Sequence, residues 1–152
     1  MRLWHKELIP VLPREQLVAQ WRELSAIAGA ILKNGTPNHR LVNFILKYPW
    51  NHFISYAFYI KEEMNRRNYK TSKAVWDKIT SITNNDYNIL PIEEVYSSKM
   101  DEDYLIICYY NLYEKALCGI ISVEEWSKIC FKILGRNFQK VDFNKRMKEY
   151  LF

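Results

Sequence analysis

Apolar side chains at 17, 21, 24, 28 and 31 repeat at intervals of three and four residues, so one stripe runs down a helix spanning about 13–32. Pro13 suits its first turn. Asn34-Gly35 and then Pro37 end it, because glycine accepts the left-handed cap conformation and proline cannot continue a helix. A short helix from Asn38 to Tyr48 is expected next. Pro49 opens another, in which Trp50, Phe53, Ala57, Ile60 and Met64 keep the same alternation, and which ends at Arg66-Arg67. Ser72 stands where it would cap a helix running to about Ser81, and 84–100 is then turn-rich, acidic and irregular. Asp101-Glu102-Asp103 brings negative charge to a helix start, and Gly119 sits where the C-terminal cap belongs. Ser122 and Glu125 have the spacing of a capping box, launching a helix that Gly135 ends; Asp142 starts a last short one. No strand-like alternation of comparable length and no internal repeat occurs. The expected architecture is an all-α, compact single-domain bundle of about six or seven helices over residues 1–152.

Composition supports one packed core: of 152 residues, 49% are hydrophobic and 15% aromatic, with only four glycines and five prolines. At helical spacing the aromatics are read as core first, although tyrosine and tryptophan can also stack on bases. There is no apolar run long enough for a membrane span and no secretion-signal pattern at the start, so a cytoplasmic protein is expected. Cys108, Cys118 and Cys130 form no C-x-x-C pair and are read as reduced, mostly buried thiols. The charge of +5 is segregated: residues 1–73 carry 12 Lys/Arg against 5 Asp/Glu, 74–125 carry 3 against 10, and 126–152 carry 7 against 2. Two basic ends around an acidic middle suit a surface that faces a polyanion, and equally suit solvated helix faces.

Most familiar chemistries find no residues to carry them. His5, His39 and His52 lie far apart with no ligand spacing, so no metal is expected, and no phosphate-binding glycine loop, dinucleotide fingerprint or nucleophile elbow occurs. The first helix is distinctive. On a wheel at about 100° per residue, Gln16 and Glu23 point away from the apolar stripe, and Ala19, Ala26 and Ala30 lie beside them. A carboxylate on a face of small side chains can admit a ligand or a second helix, and an Arg22-Glu23 pair can also be a simple solvated couple.

Met1-Arg2-Leu3-Trp4-His5, Leu8-Ile9-Pro10, Leu12-Pro13-Arg14, Gln16-Leu17, Gln20 and Arg22-Glu23 together resemble the start of the pyrimidine-dimer DNA glycosylases related to bacteriophage endonuclease V, above all their bacterial branch. Glu62-Glu63-Met64, Arg66-Arg67 and Tyr69 resemble the end of that family's central helix; Tyr104-Leu105, Cys108, Asn111-Leu112 and Lys115 resemble a later one. The resemblance covers about 1–115, leaving 116–152 as a helical C-terminal extension. It implies a glycosylase and abasic-site lyase for UV-damaged duplex DNA. The N-terminal α-amine attacks the sugar C1′, an imine forms, and β-elimination breaks the strand; the duplex is bent and a nucleotide extruded.

By the same resemblance Met1 supplies the nucleophile, since a bulky Arg2 should block methionine removal, and Glu23 holds the position of the required carboxylate. An α-amine is a far weaker base than a lysine side chain, so an appreciable fraction is neutral and nucleophilic near pH 7. Three departures stand out. The phage enzymes expose a threonine amine; a phage histidine is Gln16 here; and an arginine after the glutamate is Ala26. The glycine- and lysine-rich loop of the bacterial branch is replaced by residues 28–35. Arg2, Gln16, Arg22 and Arg40 are the expected DNA contacts, with Lys128, Lys132, Arg136 and Lys140 a second group, aligned only if their helix continues past Gly135. The expected partner is damaged double-stranded DNA, with no small-molecule cofactor and no membrane, and a monomer is favoured. The readings left beside it are the same chemistry on another damaged base or abasic site, and a non-catalytic DNA-binding or protein-interaction module on this scaffold.

Overall fold

The computed structural model describes residues 1–136, which form five α-helices and three short 3₁₀ helices, with no strand among the described residues. Helix α1, Arg14–Asn34, buries Leu17, Trp21, Leu24, Ala28 and Ile31 as its periodicity requires. Gly35 closes it at φ +74°, donating its N–H to Ile31 O at 2.8 Å. Helix α2, Trp50–Arg66, buries Phe53, Ala57, Ile60 and Met64 and packs on α1. Helix α3, Lys73–Thr80, lies against both; Ser72 precedes it, but its hydroxyl makes no capping bond. Helix α4, Glu102–Leu117, starts on Asp101, whose carboxylate accepts from Tyr104 N at 3.0 Å. Helix α5, Val123–Lys132, begins with the full Ser122–Glu125 capping box and packs on α4.

The structure departs from the sequence pattern in four places. The helix expected over 38–48 shrinks to a 3₁₀ turn at Asn43–Lys47. Asn38 adopts a left-handed φ of +49°, and His39 O then takes both Val42 N and Asn43 N, so the chain turns before it coils. A 3₁₀ helix over Lys6–Val11 was not expected, because Pro10 inside it masks any α pattern. Of the cysteines, all free, only Cys108 is buried; Cys118 is exposed where α4 ends and Cys130 is intermediate. Helix α5 stops at Lys132 rather than at Gly135, and the short helix expected from Asp142 lies outside the described residues.

One ion cluster fastens the N-terminal region to α2. Arg67 gives its Nε to Glu63 Oε1 at 2.6 Å, its Nη1 to Leu12 O at 2.7 Å and its Nη2 to Pro10 O at 3.1 Å. Glu63 is 8% exposed and also accepts Arg66 Nε at 2.8 Å. Burial pushes its carboxyl upward, but the bonds and charges of the two arginines outweigh that and hold it below the usual carboxylate range. A carboxyl depressed by folding stabilises the native state above its unfolded pKa, and this stabilisation disappears as pH falls through the lowered folded value. Glu63→Gln is therefore expected to lower the melting temperature by about 5–10 °C at neutral pH. Thermal melts of the two proteins should converge as pH falls below the carboxylate range; a gap independent of pH would contradict the assignment.

Candidate active site

Residues 1–5 have no regular structure and lie against α1 at Gln20 and Glu23. Such a segment must find other partners for its peptide groups. Here they are side chains from three helices. Trp4 N donates to Gln20 Oε1 at 2.8 Å, and Gln20 Nε2 donates to Arg2 O at 3.0 Å. Tyr56 of α2 gives its hydroxyl to Trp4 O at 2.7 Å, and Tyr104 of α4 gives its own to Leu3 O. Leu3 and Trp4 are buried in the core, and His5 Nε2 donates to Met100 O at 2.8 Å while its Nδ1 accepts from Glu7 N at 3.1 Å. Those two bonds require the neutral tautomer with Nε2 protonated, which agrees with a pKa lowered by burial.

Met1 alone projects beyond these anchors and is 45% exposed. Its ammonium acts on Glu23. Burial raises the Glu23 carboxyl above its ordinary value, against the attraction of the N-terminal charge, a hydrogen bond from the Arg2 backbone N–H, and the smaller influences of His39 and the Arg2 guanidinium. Gln20 Nε2 adds a bond to Glu23 Oε2 at 3.2 Å. The first backbone amine and a half-buried acid thus share one solvent-open corner. A carboxyl raised in this way keeps its proton to a higher pH than a free one, which suits a group that must both give and take a proton.

The other expected residues distribute unevenly. Arg22 is exposed and lines, with Gln16 and Lys128, a cleft of about 810 Å³ between the start of α1 and α5. Glu15, Glu124 and Glu125 line it too, and Lys128 pairs with Glu124 at 3.8 Å. Gln16 is only 9% exposed, and its Oε1 is buried without a hydrogen-bond partner. Arg2 turns its guanidinium over the Trp4 ring, 5.8 Å from the centroid, and towards the Cys108 thiol, which burial pushes up to about 11. Arg40 is exposed beside His39, and Lys132 is exposed at the end of α5. Arg136 is off the helix and engaged by Glu7 and Glu102, so it does not continue a basic row with Lys128 and Lys132. Lys140 lies outside the described residues.

Sequence reasoning gave Gln20, Tyr56, Tyr104 and His39 no role in this site. The first had a signal, since 16, 20 and 23 fall on one helical stripe. The hydroxyls of Tyr56 and Tyr104 had none, because their targets lie 52 and 101 residues away. Among the described residues no group of three or more His, Cys, Asp or Glu is disposed to hold a metal, and no helix is long and apolar enough to cross a membrane.

Residues 1–77 match the family model of pyrimidine dimer DNA glycosylases. The match contains Met1, Gln20, Glu23 and Tyr56 and ends before α4. No curated protein and no solved structure matches the chain.

Proposed function

Because the chain belongs to the pyrimidine dimer DNA glycosylase family, we propose that it excises dimers through an imine on its own N-terminus and then breaks the strand as an abasic-site lyase. The Met1 amine nitrogen gives its lone pair to C1′ and the glycosidic bond breaks, its electron pair leaving with the base. The C1′–O4′ bond then opens, O4′ takes a proton, and the nitrogen–carbon double bond forms with loss of an amine proton. Glu23, protonated, supplies the O4′ proton; ionised, it removes a C2′ proton, the electrons expelling the 3′-phosphate oxygen. What carries this reading is that one amide, Gln20 Nε2, donates both to Arg2 O at 3.0 Å and to Glu23 Oε2 at 3.2 Å, which sets the residue next to the exposed Met1 beside a half-buried carboxyl.

Borohydride reduction during incubation with UV-irradiated duplex DNA tests it. The expected product is a covalent adduct mapped to the first residue. Strand cleavage without an adduct would refute the amine mechanism, binding without either product would favour the non-catalytic module, and adducts on abasic DNA alone would restrict the activity to the lyase step.

Duplex affinity is expected to fall with salt because phosphate contacts release counterions. Arg22 is exposed next in sequence to Glu23 and lines the cleft at the start of α1. Arg22→Ala should make the slope of log affinity against log salt shallower by about 0.9. Filter binding on undamaged duplex across a salt series reads this directly, and an unchanged slope removes Arg22 from the interface.

A further inference from the structure

We infer that Gln20, backed by Tyr56, is a positioning residue that sets the distance and orientation of the N-terminal amine relative to Glu23. The inference rests on the imine reading. Gln20 is 0% exposed, so it cannot touch DNA, yet every hydrogen-bonding position of its amide is occupied by the machinery of that site. Its oxygen accepts Trp4 N at 2.8 Å and the Tyr56 hydroxyl at 2.9 Å; its nitrogen donates to Arg2 O at 3.0 Å and Glu23 Oε2 at 3.2 Å. The orientation is not arbitrary. Rotating the amide by half a turn would oppose its N–H₂ to Trp4 N–H and its oxygen to both the Arg2 carbonyl and the Glu23 carboxylate.

One planar group therefore holds the acid through one hydrogen and the segment bearing the nucleophile through the other. The Met1 amine lies one residue from the Arg2 carbonyl, so any tilt of Gln20 passes directly into the amine–carboxylate geometry. Tyr56 controls that tilt from α2. Its single proton is shared between Trp4 O at 2.7 Å and Gln20 Oε1, and burial keeps the phenol neutral and donating. Reactions that depend on pre-aligned groups lose about 10²-fold for a displacement near 1 Å, whereas phosphate contacts made elsewhere on the surface are untouched.

The measurement is the single-turnover rate of borohydride-trapped adduct on UV-irradiated duplex, taken across DNA concentration, for wild type, Gln20→Met and Tyr56→Phe. The maximal rate should fall about 30- to 100-fold in Gln20→Met and about 5- to 10-fold in Tyr56→Phe, with the half-saturating DNA concentration held within about twofold. A purely architectural role would lower stability without separating these two parameters. Wild-type rates in both variants overturn the inference, as does a parallel loss of rate and affinity. If Gln20→Met does not fold, Tyr56→Phe decides by the same two criteria. A wild type that traps no DNA overturns the imine reading itself, a result distinct from variants that match an active wild type.

Discussion

Glu23→Gln is expected to fold as well as the wild type and to lose strand cleavage by about 10²- to 10⁴-fold. The substitution is nearly isosteric, and an amide oxygen can still accept the Gln20 Nε2 bond that now ends on Glu23 Oε2. On the proposed mechanism the variant lacks the proton for O4′ and the base for the C2′ hydrogen. The stability sign follows from the raised carboxyl. A group whose folded pKa lies above its unfolded value stabilises the native state fully below the unfolded value and loses that contribution as pH rises through the folded one. Burial raises Glu23, so at neutral pH its ionisation is a small debit to folding. A neutral glutamine removes the debit, and the variant's melting temperature should equal or slightly exceed that of the wild type. In the wild type the elimination step should weaken at a pH above the ordinary carboxylate range, because the ionised form is lost there on acidification. Denaturing gels of cleaved UV-irradiated duplex, with melts on the same samples, measure both effects. Cleavage retained within tenfold would remove Glu23 from the chemistry.

The parts of this arrangement that depend on neighbours in sequence could be read from the sequence. The α1 stripe, the Gly35 cap and the Ser122–Glu125 capping box are local bargains between a side chain and the backbone a few residues away, and each is where the pattern puts it. Glu23 on a face of small residues was legible for the same reason. The path of residues 1–5 was not, since residues 2–4 bond to side chains of α1, α2 and α4, and only His5 makes local bonds, to Glu7 N and Leu8 N. Gln16, expected as a DNA contact, lines the cleft beside α5 yet is only 9% exposed, a burial that a wheel drawn for one helix does not show. Lys128, Lys132 and Arg136 do not meet the condition their spacing set, that the helix continue past Gly135. A four-residue repeat counts only while the helix continues, and α5 has ended by Lys132.

A tag of several residues left in front of Met1 is expected to abolish both adduct formation and cleavage, to roughly 10³-fold below the untagged protein or lower, while duplex binding persists. A tag turns the amine into an amide, whose nitrogen lone pair is delocalised into the carbonyl and no longer attacks carbon. No other amine in the segment can replace it. Lys6 is the nearest in sequence, but it is 8% exposed, and its Nζ is committed to Glu93 O at 2.7 Å and Val95 O at 2.8 Å. A second form separates chemistry from crowding: one extra glycine ahead of Met1 restores a free amine but moves it one residue, up to about 3.8 Å, from the anchors on Arg2, Leu3 and Trp4. That protein should recover trapping only partly, about 10²-fold below the native start, because the amine is intact and its alignment with Glu23 is not. Trapping assays on the tagged, glycine-extended and native forms should thus give three levels in that order. A tagged protein that forms adducts at the native rate would place the nucleophile on another residue, and equal activity in the last two would show that the anchored segment does not set the geometry.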